Sequence, residues 1–418
     1  MSRSILEDYA QAIVETTHSI IGYDILITDN RGVIIGTNDP PRMGTMHAHS
    51  LRVIARGVPE TADGDSAREF GVREGVCIPI RLGTEIMGTA AIAGNPEEVR
   101  KYGHLVQKEA ELFLRMKLMQ ESTQLRESAV ANLIGQLTTF DPKYMNDSFL
   151  RSQAKSLGYK LDIPRSVVLV DIACFGGIVD SIFAEECYVH DAELRVQTVK
   201  TRILIQLRDV FNDPQDIVSN IGADKYLILA AISGFSDSER RARLREKADR
   251  ASEALRGRKF AASIGIGFPA PAVDGLMLSF RSAWRAISIG KKLGRGVCVH
   301  EAEALQLEDL LLSLNQDTAK RYIDKSLGRF FSHPQWDEEL EATLRAWLSA
   351  PFHPGEVAQK LGIHRNTLAY RIDKINELGG VDLKKPEDVF HLKVSLLLRD
   401  LIFGMTSKEF TEVPLAPN

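Results

Sequence analysis

The chemistry this chain could do is concentrated in one short segment. Residues 362–375 read GIHRNTLAYRIDKI and bring together His364, Arg365, Asn366, Thr367, Tyr370, Arg371 and Lys374. Arg pairs bidentately with guanine and Asn with adenine, while Thr or Tyr reaches a phosphate or a thymine methyl. From 364 to 374, Arg365, Arg371 and Lys374 stand against Asp373 alone. A basic patch inside a chain of net charge −4 points to local contact with the phosphates of double-stranded DNA. The competing reading is a solvated surface helix in an all-α domain.

A second group lies near the N-terminus. Arg42 and His47 share a Gly-containing loop, with His49 close by. The loop lies within IIGTNDPPRMGTMH, which resembles the sugar-diacid regulators, and the dianionic ligand implied by that resemblance needs donors at two separated ends. The backbone around Gly75, Val76 and Cys77 is a candidate for the second end, because Gly permits close approach. Surface placement of Arg42 and the histidines is the alternative. His47 and His49 lack a third ligand, so they make a poor metal site.

A third group is GADKY (222–226), which resembles a degenerate GGDEF motif; that resemblance implies pairing Asp224 with Asp171 as two carboxylates able in principle to hold Mg²⁺. Lys225 beside them puts a repulsive charge where cation-assisted phosphoryl transfer needs support. The sequence has no Walker A motif and no H-E-x-x-H. SIGIGFP (263–269) lacks the third Gly of a dinucleotide fingerprint, so it reads as a strand. No metal and no cofactor are expected.

The elements that must position these groups follow from pattern. The 418 residues allow two to four domains, and 44% hydrophobic with 26% charged residues gives ordinary globular cores. No apolar run approaches a membrane span. The N-terminal MSRSILEDYAQAIVETTHSII has acids within its apolar run, which suits an amphipathic helix better than a signal peptide. Cys77, Cys174, Cys187 and Cys298 form no C-x-x-C pair and read as reduced thiols of a cytoplasmic protein.

YDILITDNRGVII reads as strand, turn and strand, with the turn at Asn30 to Gly32. VCIPI and EIMGTAAIAG are two more strands, joined by Leu82, Gly83 and Thr84. With helices on one face they make a small α+β domain. Residues 102–137 form one long helix. Leu105, Leu112, Met116 and Met119, continued by Val130, Leu133 and Leu137, repeat every 3.5 residues on average. That stripe either packs on its own domain or forms a dimer seam. SVVLVDIACF (166–175), DIVSNIGADKYLILAAI around Gly222, and FAASIGIG are strands of an α/β middle domain. At the C-terminus Gly362 separates two helices. Val357, Ala358 and Leu361 can there meet Ile363, Leu368, Ile372 and Ile375 in a helix-turn-helix.

IHRNTLAYRIDKINELGGVDL closely resembles the DNA-binding end of the sugar-diacid and purine-catabolism regulators, the CdaR/PucR-like transcription factors. IIGTNDPPRMGTMH, the IPI strand end and YGHLVQKEAE are similar to the same family's sugar-diacid branch. GADKY (222–226) resembles a degenerate GGDEF motif, with Asp171 at the first metal-binding position.

The resemblance implies an α+β multidomain regulator. Residues 1–137 would be the sensor domain with its long helix, and 138–300 a degenerate GGDEF-like domain. A helical region with the helix-turn-helix would span 301–405, and a flexible tail 406–418. It implies a homodimeric, ligand-responsive activator of genes for carbohydrate-diacid or related organic-acid use. Its effector would be a sugar diacid or glycerate, and it would not be an enzyme. A nucleotide-binding signalling protein without cyclase activity is the alternative. GVCIPI departs from the family's GINLPI, so Cys77 replaces an amide and a less hydroxylated acid is expected.

Overall fold

The computed structural model describes residues 6–64, 68, 73–141, 146–186 and 188–404. Cys187 and the tail expected at 406–418 lie outside the described residues. The chain divides into two compact units, Met1–Ser128 and Ala129–Asn418.

In the first unit, α1 (Glu7–Ile21) buries Ala10, Ile13, Val14 and Thr17 on one face. Gly22, in the left-handed region at φ 74°, closes it. Strands β1 (Ile25–Asp29) and β2 (Ile34–Thr37) pair antiparallel across the expected turn. After α2 (Ala48–Arg56) come β3 (Glu60–Ala62), β4 (Gly75–Leu82) and β5 (Glu85–Ala93). The sheet order is β2-β1-β5-β4-β3.

Strand alternation turns Ile25, Ile27, Val76, Ile78, Ala90 and Ile92 toward α1 and the long helix α3 (Pro96–Thr139). Leu26, Cys77 and Ala91 face the other way, onto Val53 of α2. Helices therefore cover both faces rather than the one expected. Strands apolar at successive positions need cover on both sides.

The face of α3 that packs here is Val99, Val106, Ala110 and Leu114. The stripe Leu105, Leu112, Met116 and Met119 is 52%, 58%, 57% and 72% exposed, so it does not pack on its own domain. Farther along the helix, Val130, Leu133 and Leu137 are buried in the second unit.

That unit continues with α4 (Ser148–Ser156) and a sheet of β6 (Arg165–Ile172), β7 (Ile217–Asn220), β8 (Lys225–Ala231), β9 (Ala262–Ala270) and β10 (Val299–Glu301). Its order is β10-β9-β6-β8-β7, antiparallel except for β10 on β9. The strand expected over 166–175 stops at Ile172. Cys174 takes φ 55° and Phe175 opens α5 (Phe175–Glu185). An apolar run cannot by itself mark that corner.

Helices α5, α6 (Val189–Val210) and α7 (Asp237–Arg256) cover one face of this sheet. The end of α3, α4 and α8 (Val273–Lys292) cover the other. Gly265 and Gly267 of SIGIGFP have a packing role. A Cβ at either would lie 2.2 Å from Ala283 O or 2.0 Å from Ser279 O of α8.

The remaining helices are α9 (Gln306–Leu312), α10 (Gln316–Phe331), α11 (Glu338–Ser349), α12 (Pro354–Leu361), α13 (Arg365–Gly379) and α14 (Pro386–Phe403). They close round Leu327, Phe330, Leu344, Leu368, Ile375 and Leu396, with Ala286 and Ile289 of α8 entering the same core. The architecture is the mixed α and β arrangement read from the sequence, ending in a helix-turn-helix.

Gly379 fixes where α13 lies. A Cβ there would sit 2.1 Å from the Phe330 ring, which is fully buried. Gly379→Ala is expected to cost about 1–3 kcal/mol through overpacking, read as a lowered urea midpoint. An unchanged midpoint would mean that the α10–α13 contact is looser than this.

Candidate functional site

The C-terminal site is built by a turn. Pro354 starts α12, where its missing N–H costs nothing. Gly362 ends the helix at φ 65°, a conformation that favours glycine, and Ile363 N donates to Ala358 O at 3.0 Å. Val357 and Ala358 of α12 meet Leu368, Ile372 and Ile375 of α13 in the core, with Leu361 and Ile363 packed against it, as the sequence spacing requires.

His364 caps α13, its Nδ1 accepting from Asn366 N at 3.3 Å. The first turn of α13 holds no acid. Its positive dipole end therefore joins exposed Arg365, Asn366 and Thr367 in an arrangement that accepts a phosphate. Tyr370 is 67% exposed. Arg371 and Lys374 are half-buried, and Arg371 is ion-paired to Glu339 in the first turn of α11. The free base-reading set is therefore narrower than the sequence list.

The N-terminal site is a cavity on the α2 side of the first sheet, of about 30 Å³. Arg42, His47, His49, Gly75 and Val76 line it, together with Asp24, Thr37, Asn38, Asp39 and Arg73. Sequence reading missed this second set. A signal existed: an antiparallel hairpin brings its outer ends together, so Asp24 before β1 must meet Asn38 and Asp39 after β2. The Ile25 N–H donates to Asn38 Oδ1 at 2.7 Å.

Two expectations are corrected. The N–H groups of Gly75, Val76 and Cys77 belong to β4, which is paired with β3 on one side and β5 on the other, so the ladders take them. Cys77 does not line the cavity. It is fully buried, its Sγ 3.7 Å from Ser50 Oγ. Burial pushes its thiol up to about 11, so it stays protonated.

A buried hydroxyl chain lies behind the cavity. Thr28 Oγ1 and Thr89 Oγ1 are 2.9 Å apart, Thr89 donates to Ser50 Oγ at 2.6 Å, and Ser50 Oγ is 2.7 Å from His47 Nδ1. Burial, then the nearby Arg42 charge and His49, hold His47 down to about 4, so its ring is neutral at pH 7. Burial also lowers His49, against the pull of Glu60 at 3.6 Å.

In the middle domain Lys225 Nζ lies between the carboxylates, 2.8 Å from Asp224 Oδ1 and 3.3 Å from Asp171 Oδ1. Lys291 Nζ takes Asp171 Oδ2 at 2.6 Å. Ammonium groups thus stand where a divalent cation would bind. Burial alone would raise Asp224, but the Lys225 hydrogen bond and charge outweigh it and hold the carboxyl below its usual range. No cluster of metal-ligating side chains occurs among the described residues.

Comparison with known proteins matches all three regions. Residues 5–137 match the sugar diacid recognition family, 143–289 the GGDEF-like domain, and 340–398 the PucR C-terminal helix-turn-helix domain. The chain is 32% identical to the carbohydrate diacid regulator of Escherichia coli, over 93% of this chain and 96% of that one. It is 25% identical to protein YsfB of Bacillus subtilis, over 94% and 97%. Identity to the purine catabolism regulatory protein of Bacillus subtilis is 30%, over 30% of this chain and 23% of that one.

The depressed His47 pKa makes stability depend on pH with a definite sign. Between pH 6.5 and about 4 the unfolded chain carries a proton at His47 that the folded chain lacks. Stability is complete above pH 6.5 and falls with acidification, by about 2 kcal/mol at pH 5. The difference in unfolding free energy between pH 7 and pH 5, from urea titrations, should shrink by about that amount in His47→Gln relative to the unsubstituted chain. Equal losses in both would remove His47 from the acid response.

Proposed function

Because this chain belongs to the carbohydrate diacid regulator family and is a DNA-binding transcription regulator, we propose that a small organic acid in the N-terminal cavity controls its hold on DNA. The observation that carries the DNA half is the acid-free first turn of α13, presenting Arg365, Asn366 and Thr367 beyond the Gly362 turn. These three residues and Tyr370 are the proposed contacts to bases and phosphates, with Lys374 and Arg371 at the edge and His364 as the cap. Arg42 and His47 are the proposed effector contacts. The protein acts where the DNA is, in the cytoplasm. Its Escherichia coli relative is named a carbohydrate diacid regulator, and the family resemblance supports a role in switching on genes for use of the acid it senses.

The same reading gives the middle domain no catalysis. With Lys225 and Lys291 holding Asp171 and Asp224, it serves as a scaffold within the unit that carries the DNA-binding helices. The exposed stripe Leu105, Leu112, Met116 and Met119 is assigned to a second copy of the chain. Its 3.5-residue spacing is that of a two-helix seam. A homodimer would set two copies of α13 on repeated half-sites.

Three outcomes test this. Arg365→Ala is expected to weaken binding to DNA selected from a random pool by about 1–3 kcal/mol, measured by fluorescence anisotropy. Unchanged affinity would place the interface elsewhere. Arg42→Ala should remove any melting-temperature rise given by organic acids while leaving DNA affinity without effector intact; a retained rise puts the site outside this cavity. Leu112→Glu with Met116→Glu should turn a dimer into a monomer in sedimentation equilibrium. A double variant that stays dimeric assigns the dimer to another surface.

A further inference from the structure

One flank of α13 carries the rest of its positive charge. Residues three and four apart share one face of a helix, so Thr367, Arg371 and Lys374 lie in one row beside the buried Leu368, Ile372 and Ile375. An α-helix with its side chains is about 10–12 Å across and the major groove about 12 Å wide, so the flanks of a reading helix lie against the two phosphate rows. A cationic row in that place is suited to holding phosphate.

Here the row is covered by an acid. Arg371 Nη2 donates to Glu339 Oε2. The carboxylate is the outer member of the pair, because the Glu339 side chain is 70% exposed and that of Arg371 only 19%. Asp337 caps α11, its Oδ1 accepting from Leu340 N at 2.8 Å, which sets Glu339 in the first turn. The neighbouring Glu341 is taken by Arg345 and Arg399, at 3.0 Å each. Glu339 has no second cation among the described residues, and neither Arg365 nor Lys374 has a carboxylate partner there. The acid is thus spent on one member of the recognition helix alone.

We propose that Glu339 withholds Arg371 from DNA and so holds down the grip on phosphate that does not depend on sequence. The proposal rests on the reading of α13 as the DNA interface given above. A phosphate approaching this flank meets the exposed carboxylate first, and like charges brought together cost affinity. Arg371 must release Glu339 before it can take a phosphate oxygen. The opposite arrangement, an acid lying behind an arginine and aiming it at DNA, would leave the guanidinium as the outer member. The exposures are the reverse.

Fluorescence anisotropy with the full chain tests this on two duplexes, one selected from a random pool and one of scrambled sequence, over a series of salt concentrations. Glu339→Gln keeps the shape of the side chain and removes its charge. It is expected to tighten binding to both duplexes by about threefold or more, and to steepen the fall of log affinity with log salt by about 0.9, as one added phosphate contact would. Arg371→Ala should cost at least about threefold more in the Glu339→Gln background than in the unsubstituted chain. Weaker binding by Glu339→Gln, or an unmoved salt slope, overturns the proposal. So does an equal cost of Arg371→Ala in both backgrounds, which would leave Glu339 acting by its own charge alone. A gain on the selected duplex only would make Arg371 a reader of bases and overturns it as well. Arg365→Ala measured alongside keeps the underlying reading separate. Unchanged affinity there removes α13 from the interface and the proposal with it, whereas a weakened Arg365→Ala beside an unmoved Glu339→Gln overturns only the role of Glu339.

Discussion

The second unit depends on how closely α8 approaches β9. Gly265 and Gly267 leave no side chain between them, so the backbone of α8 lies directly on the strand. Ser279 and Ser282 turn that closeness into hydrogen bonds, accepting from Val167 N and Phe268 N at 2.9 Å each. With the helix so seated, Ala283 and Ile287 close the core on the sheet, and Ala286 and Ile289 close the core that holds the DNA-binding helices. One helix thus serves two cores from opposite sides. The helical region that carries the helix-turn-helix is accordingly packed onto the GGDEF-like domain, through α9 and α14 against α8, within a single compact unit.

Much of this was legible because period and turn chemistry are local. Gly362 between two short apolar patterns could only be a tight turn, and the residues predicted to meet across it do so. The β1–β2 and β4–β5 hairpins followed from Asn30 to Gly32 and from Gly83, whose φ of 63° suits the first position of a two-residue turn. What failed was what periodicity cannot decide. An apolar run continued past Ile172 hid a helix start at Phe175. The stripe on α3 had the right spacing for a packed face, yet a second stripe offset along the helix is the one its own domain buries. Two interleaved apolar faces on one helix look alike in sequence, and only the partner sheet distinguishes them.

The N-terminal cavity was half legible for a related reason. Arg42 and His47 stood out as charged and titratable residues in a Gly-containing loop. Asp24, Asn38, Asp39 and Arg73 did not, because their role comes from being brought together at the outer ends of strands far apart in sequence. Cys77 was the opposite error. Its departure from the family's residue drew attention to it, but it sits under Ser50 and not in the cavity.

Charged residues were the most visible features of the sequence, and pairing decides which of them matter. Lys225 cancels Asp224 and, with Lys291, Asp171, so ammonium groups already occupy this pair of carboxylates. Arg73 is held by Asp24 and Asp39, and Arg371 by Glu339. A group already holding a counter-charge must give up that contact before it can hold a ligand, so it contributes less to recognition than its formal charge suggests. Arg42 and Arg365 have no such partner among the described residues. By that argument the proposed recognition at both ends of the chain falls on the groups the fold leaves unmatched. Counting charges in a motif overstates how many can take part.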